Sequence, residues 1–304
     1  MPDAEPPVQP ASAKAVARVN AAPVAAWLRV VAALPEPLLR AIAGGAAWVL
    51  RVIVGFRRRE ARRNLARCFP AMTRAERRAT LARHYREMSE TALELFQLAR
   101  FDAAELRARV QVHNVAAVHA ELAAGRSVLL LTAHQGNWEW LTQRMVIEFD
   151  VPIIGAYKPL RSARLNRDLL GLRQRFGLHL YPAKGLLRQL LRAPRPHAAG
   201  LLADQMPHSS PSRVWIDFLG QRTAFYPGPG EMALRLGYSA FYFAMRRTQP
   251  GRYEADVQPI AMASEAVDAE TFTRRYAACV EAQLRARPWD WTWGHRRWKI
   301  EPPV

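Results

Sequence analysis

The stretch SVLLLTAHQGNWEW, residues 127–140, has the pattern of a strand that stops at a histidine, turns, and restarts as a helix. Its short apolar run is typical of a strand buried on both faces of an α/β sheet. Gly136 lets the backbone turn, and Asn137 is a favourable N-cap for a helix that begins at Trp138. The stretch therefore predicts a strand whose carboxyl end presents His134 at the edge where open α/β sheets bind ligands.

Short apolar runs of this kind recur along the rest of the chain and alternate with helical stretches. After the first run they are VPIIGAY (151–157), LHLYPA (178–183), AAGLLAD (198–204), RVWIDFL (213–219), SAFYFAM (239–245) and YEADVQPI (253–260). A last helix is expected from about Asp268 to Ala286, before a tryptophan-rich segment. This alternation predicts an α/β domain over residues 57–304, with a mixed, mostly parallel central sheet flanked by helices.

The chain begins with two segments of different character. Residues 1–23 are rich in Ala, Pro and Val and carry two acidic residues before any basic one, which indicates a flexible tail and no secretory signal. Residues 24–56 are apolar but contain three arginines and two prolines, whereas a membrane-spanning helix needs about 20 nearly uncharged residues. We interpret this segment as membrane-associating helices, either interfacial or as one short tilted span; the alternative is an amphipathic helix packed on the core.

The charge of the chain is strongly positive. Lys and Arg number 44 against 26 Asp and Glu, which gives a formal net charge of +18. Eleven arginines lie between Arg57 and Arg86, against only Glu60 and Glu76. Basic residues that follow an apolar segment attract anionic lipids by about 1 kcal/mol each, and they favour a cytoplasmic position. The alternative is a solvated helix face, and Thr73 with Glu76 indeed forms the capping box of a long helix.

His134 and Glu139 are the first candidates for catalysis. Glu139 falls in the first turn of the predicted helix, and across the turn its carboxylate can approach the imidazole. A histidine oriented by a carboxylate on one nitrogen can take a proton on the other, which is general-base chemistry. The alternative is a structural turn histidine beside a favourable helix-start charge.

Further candidates follow other predicted strands. Asp204 and Gln205 close the run at 198–204, where the alternative is a turn or helix cap. Lys158 and several arginines follow the run at 151–157, and their chemistry suits phosphates. The binding candidates in this group are Asn137, Lys158, Arg164, Arg173, Arg175, Asp204 and Gln205. Among the arginines we favour Arg175, while residues 228–230 (Gly-Pro-Gly) offer backbone amides for a phosphate or an oxyanion but are usually just a turn.

Several stretches together resemble one enzyme family. AHQGNWEW (133–140) is similar to the H-x4-D/E motif of the lipid A biosynthesis acyltransferases, which are related to the lysophospholipid acyltransferases. RRREARRNLARCFP, YKPLRSARLNRDLLGLRQRFG, GLLADQ, DFLGQRTAFYPGPGEMALRLG and the closing WGHRRWK follow in the order and spacing expected of that family. The resemblance therefore covers most of the chain.

The resemblance implies a glycerol-3-phosphate acyltransferase-like fold and an O-acyltransferase at the cytoplasmic face of the bacterial inner membrane. It implies transfer of an acyl chain from acyl carrier protein to a hydroxyl of a lipid A precursor, in lipopolysaccharide biosynthesis. It also implies that His134 is the general base and Glu139 its partner. The acidic carrier protein, the lipid A precursor and anionic inner-membrane lipids are the expected partners.

The sequence contains no signature of a metal site, a P-loop or a dinucleotide fold, so no cofactor is expected. The aromatic and basic residues of the tryptophan-rich segment could suit single strands of nucleic acid, but the position of the segment after the last helix favours one that closes the core or lies at a membrane interface. Nucleic acid is therefore not expected as a partner. One alternative is an acyltransferase for another glycolipid or a lysophospholipid, with acyl-CoA as an alternative donor. A second alternative is a non-catalytic basic protein that binds membranes or nucleic acid.

Overall fold

The central sheet of the computed structural model has seven strands, and the structure describes residues 25–207, 212–265 and 267–302. The sheet order is β1-β9-β8-β2-β5-β3-β4. The strands are β1 (Val110–His113), β2 (Val128–Thr132), β3 (Ile153–Tyr157), β4 (His179–Pro182), β5 (Ala198–Leu202), β8 (Ser239–Gln249) and β9 (Arg252–Ala261). Five of them are parallel, while β9 runs antiparallel to β8 and β1 runs parallel to β9. The predicted mixed, mostly parallel sheet is therefore confirmed.

Helices lie between the strands and before them. They are α1 (Ala26–Ala32), α2 (Glu36–Trp48), α3 (Arg58–Cys68), α4 (Arg74–Gln97), α5 (Ala103–Arg109), α6 (Ala116–Ala123), α7 (Trp138–Glu148), α8 (Ala163–Arg173), α9 (Leu186–Arg192), α10 (Gly228–Leu236) and α11 (Ala269–Ala286). Short 3-10 turns cover Ala183–Gly185 and Ala263–Glu265, and a π-helical turn, Val49–Ile53, extends α2. A separate antiparallel hairpin joins β6 (Val214–Phe218) to β7 (Gln221–Phe225).

The strand β2 lies in the middle of the sheet and is buried on both faces. Leu129 and Leu131 belong to one apolar core, whereas Val128 and Leu130 belong to the other. Successive side chains of a strand point to opposite faces, so a continuous apolar run is what a doubly covered sheet requires. This is why the sequence showed the strand clearly.

Two short strands were not predicted from the sequence. The strand β1 has four residues, of which only Val110 is buried, and β7 carries two polar residues at its start. Neither has an apolar run long enough to stand out from the neighbouring segments. These segments are strands because β1 hydrogen-bonds to β9 and β7 hydrogen-bonds to β6, and neither pairing is evident from the local sequence pattern.

The N-terminal helices pack one face on α4 and leave the other face exposed. Leu28, Leu39 and Ala43 are buried, while Ile53 and Val54 are among the exposed apolar side chains. Within the described residues no single helix is long and apolar enough to cross a membrane; α1 and α2 with its π turn, bent by 102°, would meet the requirement only as a pair, on length and composition. The predicted tail, residues 1–23, lies outside the described residues.

The long helix α4 begins where the capping box predicts. The Thr73 hydroxyl accepts the amide of Glu76 at 3.2 Å, and the Glu76 carboxylate accepts the Thr73 amide at 2.6 Å. Farther along, α4 contributes Glu90 and Glu94 to a buried ion-pair cluster around Arg247 of β8. This cluster joins the helix to the sheet directly behind the turn that carries His134.

We expect Arg247→Ala to reduce the free energy of unfolding by about 3–5 kcal/mol, because it leaves two largely buried carboxylates without their cation. Arg246→Ala is the matched control, since its partner Glu254 forms a more exposed pair whose loss costs about 1 kcal/mol or less. Chemical denaturation of both variants measures the difference. Equal losses in the free energy of unfolding would show that burial does not make the Arg247 cluster more stabilising than an exposed ion pair.

Candidate active site

The register of two neighbouring strands brings His134 and Asp204 together. Val128 to Thr132 of β2 pair in parallel with Ala198 to Leu202 of β5. His134 and Asp204 each lie two residues beyond the end of their strand, so they are side by side at the same edge of the sheet. The imidazole Nδ1 lies 2.7 Å from Oδ1 of Asp204, and the His134 amide donates to Oδ2 at 3.2 Å.

A tyrosine of α11 ties the ends of these two strands to each other. The Tyr276 hydroxyl donates to the carbonyl of Thr132 at 2.9 Å and accepts the amide of Ala203 at 3.2 Å. Ala203 immediately precedes Asp204, and Thr132 lies two residues before His134. The contact therefore fixes the separation of the backbones that carry the imidazole and the carboxylate.

The carboxylate beside His134 is Asp204 and not Glu139, which corrects the geometry expected from the sequence. A hydrogen bond across the turn to Glu139 was predicted, but the adjacent strand places Asp204 against Nδ1. Glu139 is instead bound by Arg173, whose Nε donates to Oε2 at 2.9 Å and whose Nη2 bonds to Oε1. The sequence had marked Asp204 only as a binding candidate at a strand end.

Asp204 is buried but ionised. Burial by itself raises its pKa, yet the charge of His134 and the hydrogen bonds from His134 and Trp291 outweigh it, so the pKa lies well below its usual range. The Trp291 indole donates to Oδ2 at 2.7 Å. Conversely, burial lowers the pKa of His134, but the negative charge of Asp204 and their hydrogen bond raise it above its ordinary value of 6.5.

The other nitrogen of His134 faces Gln205 and a small recess. Nε2 lies 3.3 Å from the side-chain nitrogen of Gln205, and the ring contacts Trp138 edge to face at 5.1 Å. With Nδ1–H donated to Asp204, Nε2 carries a lone pair that can accept a proton. The recess has a volume of about 30 Å³, and its lining residues include His84, Met88, Thr91, Arg247, Trp289 and Asp290.

The turn after His134 is held by its own backbone geometry. Gly136 has a φ of +56°, in the left-handed region, and an added Cβ would lie 3.2 Å from Met245. Asn137 caps α7 as predicted, because its Oδ1 accepts the amide of Trp140 at 3.1 Å. Its Nδ2 donates to Glu94 at 2.9 Å, so the side chain predicted to bind substrate is used to anchor the turn.

Asp290 supports the same turn from the C-terminal segment. Its Oδ1 accepts the Gly136 amide at 2.7 Å. Burial raises the pKa of Asp290 to about 6, even though the Gly136 hydrogen bond opposes the change. Two consecutive residues, Asp290 and Trp291, thus contact the turn and the carboxylate of the candidate site.

The remaining predicted binding residues lie in different surroundings. Lys158 and Arg164 are exposed, one after β3 and the other in the first turn of α8. Arg175 is half-buried, and its Nη1 donates to the carbonyls of Leu98 and Phe101 after the end of α4. That contact gives Arg175 a structural role, while its predicted part in substrate binding stays a prediction, as do those of Lys158 and Arg164.

Three contributors to the site were not identified from the sequence: Tyr276, Asp290 and Trp291. Trp291 is 87 positions from Asp204 and Asp290 is 154 from Gly136, so no local spacing links them. The tryptophan-rich segment was predicted to close the core or to lie at a membrane interface. Trp291 and Trp293 are buried in the core, which agrees with the first of these alternatives.

The arrangement suits general-base catalysis. A buried carboxylate fixes the tautomer of His134 and leaves Nε2 able to deprotonate a hydroxyl. The side chains hydrogen bonded to the imidazole are Asp204 and Gln205, so no serine or cysteine nucleophile is bonded to it within the described residues. In the same part of the chain no three His, Cys, Asp or Glu side chains are grouped as metal ligands.

Comparison with known proteins gives a consistent assignment. The family model described as bacterial lipid A biosynthesis acyltransferase matches residues 14–300. The lipid A biosynthesis acyltransferase of Haemophilus influenzae is 21% identical over 78% of the chain and 74% of its own length, and the lipid A biosynthesis lauroyltransferase of Escherichia coli is 23% identical over 91% and 89%. The phosphatidylinositol mannoside acyltransferase of Mycolicibacterium smegmatis is 29% identical over 71% of each.

We expect Trp291→Phe to lower the free energy of unfolding by about 1–3 kcal/mol, because a buried carboxylate loses a donor while the aromatic packing is kept. The pKa of His134, followed by NMR, should change as well. Trp298→Phe is the matched control, since its indole donates to the neutral hydroxyl of Thr223 at 2.7 Å. A His134 titration that is the same in both variants would contradict a role for Trp291 in holding Asp204.

Proposed function

The chain belongs to the bacterial lipid A biosynthesis acyltransferase family, and we propose that it transfers a fatty acyl chain from acyl carrier protein to a hydroxyl of a lipid A precursor. The family and its relatives identify an acyltransferase for lipid A or a related glycolipid. The observation that carries the finer proposal is the hydrogen bond between His134 and Asp204 at the carboxyl ends of β2 and β5.

In the proposed reaction, Nε2 of His134 removes the proton of the acceptor hydroxyl as its oxygen attacks the thioester carbonyl of the donor. A tetrahedral intermediate forms and then collapses with cleavage of the carbon–sulfur bond. The proton on Nε2 passes to the departing thiolate, so that an ester and a free carrier thiol are released. Asp204 stays ionised throughout and stabilises the imidazolium that forms transiently.

Gln205 occupies the place next to the reactive nitrogen. Its amide donates to Nε2 at 3.3 Å, which is a long hydrogen bond, and the acceptor hydroxyl would need the same lone pair. We propose that the hydroxyl replaces this contact when the acceptor binds. The released amide of Gln205 is then available to hold the acceptor, consistent with its predicted role in substrate binding.

Glu139 enters the proposal as a positioning residue beside the base. Its negative charge adds to that of Asp204 in raising the pKa of His134. Its two-point contact with Arg173 joins the first turn of α7 to the last turn of α8, and both side chains are partly buried, at 14% and 26% exposed. This pair fixes a guanidinium near the base, where Arg173 retains its predicted role in binding a negatively charged group.

The strongly basic chain suits the proposed partners and location. Acyl carrier protein is acidic, and the phosphates of a lipid A precursor and the headgroups of anionic lipids carry the same sign of charge. A net charge of +18 favours encounter with all three. We propose that the protein acts at the cytoplasmic face of the bacterial inner membrane.

A second acceptor class has a specific observation in its favour. Of the three relatives given above, the one with the highest identity is named for acylation of phosphatidylinositol mannoside. His134, oriented by Asp204, would deprotonate a sugar hydroxyl as readily as a hydroxyl of a lipid A precursor. A mannosylated phospholipid is therefore the competing acceptor.

Purified protein supplied with each acceptor and with acyl-carrier-protein or acyl-CoA donors separates these possibilities. We expect transfer to the lipid A precursor, with acyl carrier protein as the better donor. Mass spectrometry of lipid A from cells with and without the gene should show one missing acyl chain. An unchanged lipid A profile together with acylation of the mannoside would replace the first acceptor by the second.

Substitution of the base gives a direct test of the mechanism. We expect His134→Ala to reduce kcat by about 10²–10⁴-fold, the usual contribution of a positioned general base, without loss of the fold. Steady-state acyl transfer and circular dichroism measure the two properties. Full activity in a folded His134→Ala protein would exclude His134 as the base.

The pH dependence tests the part played by Asp204. A general base must be neutral, so kcat/KM should fall as the pH decreases through the pKa of His134, which lies above 6.5. Asp204→Asn removes the charge that raises this pKa, so the acid limb should move to lower pH while the maximal rate also drops. Glu139→Gln should move the limb less, because its charge has the smaller effect. An acid limb unmoved in Asp204→Asn would contradict the pairing.

A further inference from the structure

We propose that a pocket between α3 and α4, lined by four arginines, binds the headgroup phosphate of an anionic membrane lipid. The pocket has a volume of about 230 Å³ and is distinct from the recess at His134. Its lining residues are Arg51, Val52, Arg58, Arg62, Arg78, Leu81 and Tyr85. No acidic side chain is among them.

The four pocket arginines carry a charge that the described part of the chain does not neutralise. Within residues 25–207, 212–265 and 267–302, none of them forms an ion pair, whereas nearby Arg63 pairs with Glu60 and Arg83 pairs with Glu87. Guanidinium groups present planar sets of donors that match phosphate oxygens. Several of them around one concave site, without a counter-ion, form a site suited to an anion.

Two hydrogen bonds give the pocket a fixed wall. The Tyr85 hydroxyl donates to the carbonyl of Phe56 at 2.6 Å, which holds the turn before α3 against α4. One nitrogen of Arg58 donates to the carbonyl of Arg51 at 3.3 Å. Arg62 and Arg78 lie at the exposed side, so a group on a larger molecule can enter there without rearranging the helices.

The apolar residues beside the pocket identify its ligand as a lipid. Val52 lines the pocket, and the next two residues, Ile53 and Val54, are 66% and 62% exposed, followed by the exposed Phe56. Contiguous apolar side chains next to a basic site are typical of a surface that enters the headgroup region of a bilayer. Free phosphate would leave these side chains in water, whereas the headgroup region of a bilayer covers them together with the phosphate.

The position of the pocket links it to the candidate active site through α4. Leu81 and Tyr85 line the pocket, while Met88 and Thr91, one to three turns farther along the same helix, line the recess at His134. Seven residues of α-helix span about 10 Å. The pocket and the recess therefore open from the same helix, about 10 Å apart along its axis between Leu81 and Met88. A headgroup in the pocket would hold the membrane surface beside the helix that lines the recess.

The test compares two double variants that lose the same charge from the same two helices. Arg62→Gln with Arg78→Gln changes the pocket, and Arg59→Gln with Arg74→Gln changes exposed arginines that do not line it. Binding of the full chain is measured to vesicles of phosphatidylcholine with phosphatidylglycerol, to phosphatidylcholine alone, and to inorganic phosphate. Thermal unfolding checks that both variants keep the fold.

We expect the control to lose at most about 30-fold in affinity for phosphatidylglycerol vesicles, which is the contribution of two charges near the surface. The pocket variant should lose about tenfold more than the control, because it also loses direct contacts to the headgroup phosphate. Inorganic phosphate should bind weakly to the unaltered chain and to the control, and more weakly still to the pocket variant. Phosphate that weakens vesicle binding only slightly while binding the pocket as tightly as the vesicles do would overturn the lipid as ligand in favour of free phosphate. Equal losses in both variants would overturn it in favour of diffuse attraction. A pocket variant that binds vesicles normally but has a raised KM for acyl carrier protein would overturn it in favour of an acidic protein ligand.

Acyl transfer provides an independent readout. With the acceptor in detergent, the pocket variant should retain kcat and KM, whereas with the acceptor in vesicles its apparent KM should rise. Loss of transfer in both settings with intact vesicle binding would point to the acceptor site, not the lipid pocket. Vesicle binding by the unaltered chain does not depend on catalysis. A failure of the proposed lipid site can therefore be distinguished from a failure of the proposed function.

Discussion

Asp204 places a negative charge in a buried position, and the candidate site is built to stabilise it. Burial of an unpaired carboxylate is strongly unfavourable, so each of its oxygens needs a donor. Oδ1 faces Nδ1 of His134, and Oδ2 receives the His134 amide and the Trp291 indole. The same charge that requires these partners gives the imidazole its orientation and its basicity. The stability of the carboxylate and the raised pKa of the histidine therefore have a common cause.

The turn that carries His134 is held from both sides by segments distant in sequence. The C-terminal segment supplies Asp290 to the Gly136 amide, and α4 supplies Glu94 to the Asn137 side chain. Glu94 is itself held by Arg247 and by the Tyr253 hydroxyl. The turn that presents His134 is thus held by hydrogen bonds to charged groups that are themselves paired, which is the kind of support that a precise site requires.

The sequence predicted the features that depend on local pattern. The run at 127–133, the capping box at Thr73 and the N-cap at Asn137 are each determined by neighbouring residues, and the structure confirms them. The carboxylate partner of His134 depends on which strand lies beside β2. Because β5 occupies that place, Asp204 takes the position predicted for Glu139. Strand order is a property of the whole chain, so it cannot be predicted from the spacing of residues within 131–140.

The tie between the C-terminal segment and the strand ends has a consequence for how the site is assembled during folding. A partly folded chain with β2 paired to β5 would already have His134 beside Asp204. It would lack the Trp291 donor and the Asp290 contact until residues 288–293 had packed onto the sheet. Contacts between residues so far apart in sequence require the closure of long loops, which slows folding. The full set of contacts around His134 would then wait for the packing of residues 288–293, and a chain folded only as far as the pairing of β2 with β5 would hold His134 against an Asp204 that still lacks its Trp291 donor.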